Sequence, residues 1–131
     1  MAVWGIGANW DKRDVSKEFV GYSTASIGYD EKDNSTFHKK IIDFVQPGDL
    51  IFIKSKFVEN GTMLVKAIGI VTDKNLCLEN GFDGHKGIKV HWIRNLTDHP
   101  VEIDSPGEYG STHTFYEEKV GAVIKQIVNL L

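Results

Sequence analysis

The stretch from residue 46 to residue 73 constrains the fold more than any other part of the chain. Gln46-Pro47-Gly48-Asp49 is a turn with a mechanism, because proline fixes φ and glycine tolerates positive φ. Directly after it come "LIFIKS" (50–55) and "MLVKAIGIVTD" (63–73), separated by a loop that contains Asn60-Gly61. Two apolar, β-branched runs joined in this way predict a hairpin. Gly69, inside the second run, predicts a bulge or a sharp bend. A third run, "IKVHWI" (88–93), alternates with Ile88, Val90 and Trp92 inward and Lys89 and His91 outward. "VEI" (101–103) reads as another short strand, and residues 74–87, charged and glycine-containing, as a long loop.

Helical patterns flank this strand set. Residues 2–7 form an apolar strand with Trp4 and Ile6 on one face. Asp11 or Asp14 can cap a short helix through Val20, with Val15 and Phe19 spaced i, i+4. Residues 21–35 read as a polar loop. Phe37, Ile41, Ile42, Phe44 and Val45 give a helical stripe started by Ser35 or Thr36. Val120, Val123, Ile124, Ile127, Val128 and Leu131 mark an amphipathic closing helix. The order strand, two helices, several strands, helix predicts an α+β domain spanning residues 1–131: a curled, mostly antiparallel sheet or barrel flanked by about three helices.

Composition narrows the chemistry. A net charge of −3 provides no global field for nucleic acid, so any such binding needs a local basic patch. A single cysteine, Cys77, excludes a disulfide or a multi-cysteine zinc site within the chain. No apolar run approaches 18 residues, so no membrane partner is expected and a cytoplasmic location is. The five histidines have no H-x-x-x-H spacing, and Ser, His and Asp occur without a G-x-S-x-G elbow. Neither a metal site, a cofactor nor a catalytic set is therefore expected. Gly5 and Gly7 begin a G-x-G-x-x-G fingerprint, but Trp10 stands where a small residue must let a helix approach its strand.

The aromatic residues near the N-terminus point elsewhere. Trp4 alternates with Ile6 and is expected in the core. Trp10 follows Gly7-Ala8-Asn9 in a polar run, and Tyr22 and Tyr29 sit among Ser23, Thr24, Ser26 and Gly28. Small residues beside aromatics let a flat ring approach the backbone, while Asn9, Ser23, Thr24 and Asp30 could read its edge. Capping and loop-anchoring are the structural alternatives for these polar groups. Lys12, Arg13, Lys39, Lys40 and Lys86 are the candidates for phosphate contacts, each otherwise a solvated charge.

"VWGIGANWD", "GYSTASIGYD", "IIDFVQPGDLIFIKS", "MLVKAIGIVTD" and "KGIKVHWIRNLT" together resemble the PUA-like superfamily, most closely its EVE and YTH branches. The resemblance implies a reader that holds a modified, possibly flipped, base of DNA or RNA in an aromatic pocket. EVE-like modules also serve as N-terminal specificity domains of modification-dependent restriction GTPases, so a larger restriction or RNA-modification system is an implied partner. The YTH cage tryptophans are absent: Gly21, beside Tyr22, stands at one position, and Phe82 is the only aromatic in the loop that carries the other. Phe82 thereby joins the implied pocket. The alternatives are an ASCH-type enzyme acting on RNA or a nucleoside, and a small-molecule or protein-interaction domain of the same fold.

Overall fold

A computed structural model describes residues 1–28, 35–57, 61–105 and 114–131. The strands are β1 (Val3–Gly7), β2 (Asn9–Trp10), β3 (Arg13–Asp14), β4 (Thr24–Ser26), β5 (Leu50–Phe57), β6 (Thr62–Phe82), β7 (His85–Asn95), β8 (Val101–Asp104) and β9 (Phe115–Glu117). The helices are α1 (Ser16–Gly21), α2 (Ser35–Asp43) and α3 (Gly121–Asn129). Seven strands form one mixed sheet in the order β4-β7-β6-β5-β1-β9, with β8 pairing the early part of β6. β1 runs parallel to β5, and the other pairs in this sheet are antiparallel. The sheet is open, ending at β4 and β9, and does not close into the barrel that was one expected form. β2 and β3 form a separate two-stranded hairpin.

The turn before β5 works through Asp49. Its buried carboxylate accepts hydrogen bonds from the Ala2 and Gln46 amides and from the Trp4 indole, at 3.1, 2.9 and 3.0 Å. A buried charge needs such donors, and these three tie the start of β1 to the turn. Trp4 is buried as expected and stacks on Phe115, with centroids 5.1 Å apart and planes 4° from parallel.

The sheet has two covered faces. One carries Trp4, Ile6, Phe19, Phe37, Ile41, Ile51, Ile53, Ile88 and Val90, with residues of α1 and α2 among them. The other carries Val3, Leu50, Phe52, Met63, Val65, Ile68 and Ile103, with Val123 and Ile127 of α3. Period-two alternation along β1 and β5 sends neighbours to opposite cores. Gly69 sits at the expected irregularity, where the β6–β7 register shifts between Ile68 and Gly69. A Cβ there would lie 2.6 Å from the His91 carbonyl oxygen, so the two backbones approach too closely for any side chain.

Several expectations need correction. Residues 74–87 are not a loop: β6 continues to Phe82, turns at Asp83-Gly84 and returns as β7 from His85. Thr24–Ser26, expected within a loop, is an edge strand paired with Gly87–Lys89. β9, which the sequence pattern did not announce, pairs with β1. Of the α2 stripe, Phe37, Ile41 and Val45 are buried, whereas Ile42 and Phe44 are 67% and 61% exposed. A nine-residue helix lying on one sheet face covers a narrow stripe, and residues 37, 41 and 45 alone keep the i, i+4 spacing of that stripe. In the closing helix, likewise, Val123 and Ile127 are buried while Val120, Val128 and Leu131 are exposed.

Candidate functional site

Two tight hairpins build the candidate site. In the first, Trp10 pairs with Arg13 across Asp11-Lys12, whose φ values are +51° and +72°. In the second, Phe82 pairs with His85 across Asp83-Gly84, with φ of +58° and +78°. Positive φ at both central residues is the type I′ turn, which matches the right-handed twist of the flanking strands. The corner residues of the two hairpins then meet. Trp10 stacks on Phe82 at 5.0 Å and 11°, and takes His85 against its ring at 4.9 Å and 66°. Arg13 adds an ion pair to Asp83 at 3.4 Å.

Tyr22 completes the array, stacking on Phe82 at 5.4 Å and 9°. Phe82 therefore lies nearly parallel to both Trp10 and Tyr22, and Phe19 meets Trp10 and Phe82 edge-on. Offset and T-shaped pairs of this kind are worth about 0.5–1.5 kcal/mol each beyond burial. Phe82 is 8% exposed and Tyr22 is 58% exposed, so the array runs from the core to the surface. Gly28 backs it. A Cβ on Gly28 would lie 2.7 Å from the Trp10 ring, so the flat ring that approaches this glycine is the protein's own indole.

Hydrogen bonds hold the parts in place. The buried Thr24 hydroxyl lies within reach of the carbonyls of Asn80 and Ile88 and donates its one hydrogen to either, fastening β4 to the second hairpin. Ser26 Oγ donates to the Lys86 carbonyl at 2.5 Å. The Trp92 indole donates to the Phe19 and Thr24 carbonyls, and Lys89 Nζ to the Tyr22 carbonyl. Asp14 accepts from the Ser16 amide and hydroxyl at 2.9 and 2.6 Å, and from Lys66 Nζ at 3.0 Å. Partial burial pushes its carboxyl up, but the Ser16 hydrogen bonds and the Lys66 ammonium outweigh that and hold it below the ordinary 3.8. Among the described residues, two buried polar atoms, Trp10 Nε1 and Glu18 Oε2, have no hydrogen-bond partner.

The predicted site residues are thus distributed unevenly. Trp10, Tyr22 and Phe82 come together. Asn9 and Ser23 are exposed, Ser23 with φ of +53° just beyond α1. Thr24 is fully buried, its hydroxyl directed to strand carbonyls and not to a ligand edge. Tyr29 and Asp30 lie outside the described residues. Lys12 is exposed on the first hairpin turn beside Arg13, while Lys86 follows His85 at the start of β7. Lys39 and Lys40 belong to α2, where Lys40 Nζ donates to the Phe115 carbonyl at 2.9 Å. Sequence reasoning did not assign Phe19 or Lys89 to the site. Their signal was indirect: Lys89 is the outward residue of an alternating strand, and Phe19 the inward one of a short helix, whose N-cap is Val15, with no side-chain cap, and not the expected Asp11 or Asp14.

Among the described residues, no three His, Cys, Asp or Glu side chains gather as metal ligands do, and no helix is long and apolar enough to cross a membrane. No protein-family model matches the chain, and no curated protein matches it either.

Proposed function

We propose that this chain is a nucleic-acid reader domain of the PUA-like, EVE/YTH type, which holds a modified or flipped base by stacking it at the aromatic array. The observation that carries the reading is the exposed Tyr22 ring at the outer end of three near-parallel rings. A base stacked on such a platform contributes roughly 1–3 kcal/mol, and the support of Phe82 and Trp10 holds the ring before the ligand arrives. Asn9 and Ser23 supply polar groups nearby in sequence, and Lys12, Arg13 and Lys89 supply positive charge around the rings. With a net charge of −3, only this local charge meets phosphate. Affinity is then modest and falls steeply with salt, as each neutralised phosphate of a single strand releases about 0.7 counterion.

The test is fluorescence anisotropy with single-stranded and duplex oligonucleotides carrying modified or unmodified bases. Tyr22→Ala weakens binding about tenfold or more through lost stacking, and replacing Lys12 and Lys89 with Gln reduces the salt slope. Equal affinity of Tyr22→Ala and the parent protein for every oligonucleotide would remove the reading.

A further inference from the structure

A pocket of about 530 Å³ lies away from the aromatic array, between α2 and the outer part of the β6–β7 hairpin. Its wall from α2 is His38 and Ile42, its wall from β6 is Asp73, Lys74 and Leu76, and Lys86 closes it from β7. The volume falls within the span of small-molecule sites, roughly 300–1,000 Å³. We infer that this pocket is a separate binding site for a nucleotide-class anion, a ligand with a flat apolar body and a phosphate.

The lining divides by chemistry. Ile42 and Leu76 are apolar walls, and Ile42 is 67% exposed, so its side chain is open to a ligand. Among the described lining residues, Lys74, Lys86 and His38 are the basic side chains and Asp73 carries the carboxylate. That carboxylate is directed to its own strand: Oδ1 accepts from the Asn75 amide at 2.8 Å and Oδ2 from Asn80 Nδ2 at 3.3 Å. Lys74 Nζ is steered to the pocket rim by donating to the Ile42 carbonyl at 3.2 Å. An ammonium has three donors, so a phosphate oxygen can be added to that bond. Lys86 is anchored at its backbone, where its carbonyl accepts from Ser26 Oγ. Charge-assisted bonds to phosphate are the strong ones, and the apolar walls offer a base or ribose face the burial that free phosphate does not need.

The irregular course of β6 creates this space. Between the pairs Asp73↔Lys89 and Phe82↔His85, β6 advances nine residues while β7 advances four. The surplus backbone bows out of the ladder and carries Lys74 and Leu76 toward α2.

The experiment titrates the full chain, by calorimetry, with a 5′-mononucleotide, the matching nucleoside and inorganic phosphate. The mononucleotide is expected to bind, with nucleoside and phosphate each weaker by about tenfold or more. Lys74→Gln combined with Lys86→Gln, both at partly or fully exposed positions, reduces mononucleotide affinity about tenfold or more with an unchanged melting temperature. Ile42→Asp, an exposed substitution that adds a competing carboxylate, does the same. Tyr22→Ala separates the two sites by outcome: a mononucleotide signal lost in Tyr22→Ala and kept in the double lysine variant places the ligand at the aromatic array and overturns the inference. If the double lysine variant also weakens a single-stranded oligonucleotide, the phosphate comes from a strand; if it weakens only the mononucleotide, the source is a free nucleotide. No heat or shift with mononucleotide at millimolar concentration, or equal binding by the double lysine variant, overturns the inference.

Discussion

β6 is two structures in one strand. Its first half, Thr62–Val71, pairs with β5 on one side and with β8 and β7 on the other, and its residues feed both cores. Its second half, from Thr72, has β7 as its strand partner, slips register three times before the turn, and leaves Leu78 57% exposed. Where a strand has neighbours on both sides, a bulge must be accommodated by two ladders, and the first half has two: at Lys66 beside β5 and at Gly69 beside β7. Where it has one, surplus residues can bow outward. The second half therefore supplies what the first cannot: Phe82 for the aromatic array, and Lys74 and Leu76 for the pocket. The features proposed to bind concentrate where packing constrains the backbone least.

The largest effect tests the constrained half. Trp4→Ala removes a buried indole and its hydrogen bond to Asp49, and is expected to cost about 3–5 kcal/mol in denaturant unfolding. A cost under about 1 kcal/mol would mean that the inner sheet tolerates a void, and the contrast between the halves would fail. Thr24→Val should cost less, about 1–3 kcal/mol, because it removes a buried hydroxyl hydrogen bond between β4 and the second hairpin. Hydrogen exchange sharpens this one: amides of β4 and the outer β6–β7 ladder should exchange faster, with β1 and β5 unaffected.

Asp14→Asn comes next, at about 0.5–1 kcal/mol near neutral pH, from the loss of the charge that pairs with Lys66. The sign of its pH dependence follows from a folded pKa held below 3.8. The charged carboxylate stabilises the fold above that value, and the benefit disappears as pH falls through the lower folded pKa. The difference between parent and variant should thus be full above about pH 5 and vanish in strong acid; a difference that persists there would assign the effect to packing. Smallest is Tyr22→Ala, expected to cost about 0.5 kcal/mol, the low end for a stacked pair, because its ring is largely exposed, although it is the variant that should most weaken oligonucleotide binding.

The comparison also explains which parts of the site could be read in advance. Trp10 and Tyr22 stood out because large aromatics in polar, glycine-rich surroundings have few local ways to be covered. Phe82 entered only through a family resemblance, and its segment was read as loop because charges and glycines obscured the Asp83-Gly84 hairpin signal. The pocket between α2 and β6 could not be read at all: Ile42 looked like one more residue of an apolar stripe.

What the sequence determined by itself is the set of elements with enough residues to display a period. β1, β5, the first half of β6, β7, α2 and α3 each bury residues at regular spacing, and the Gln46–Asp49 turn carries its instructions in proline and glycine. What only the tertiary structure decided is everything defined by a partner. β4 and β9 have three residues each, too few for a pattern, and exist because β7 and β1 offer unpaired backbone. The parallel pairing of β1 with β5, the stacking of Trp10 on Phe82 across 72 positions of sequence, and the outward face of Ile42 are likewise set by long-range contact. A residue's period is a local property of the chain, whereas its partner is fixed only when the backbone's hydrogen bonds and both faces of the sheet are satisfied together.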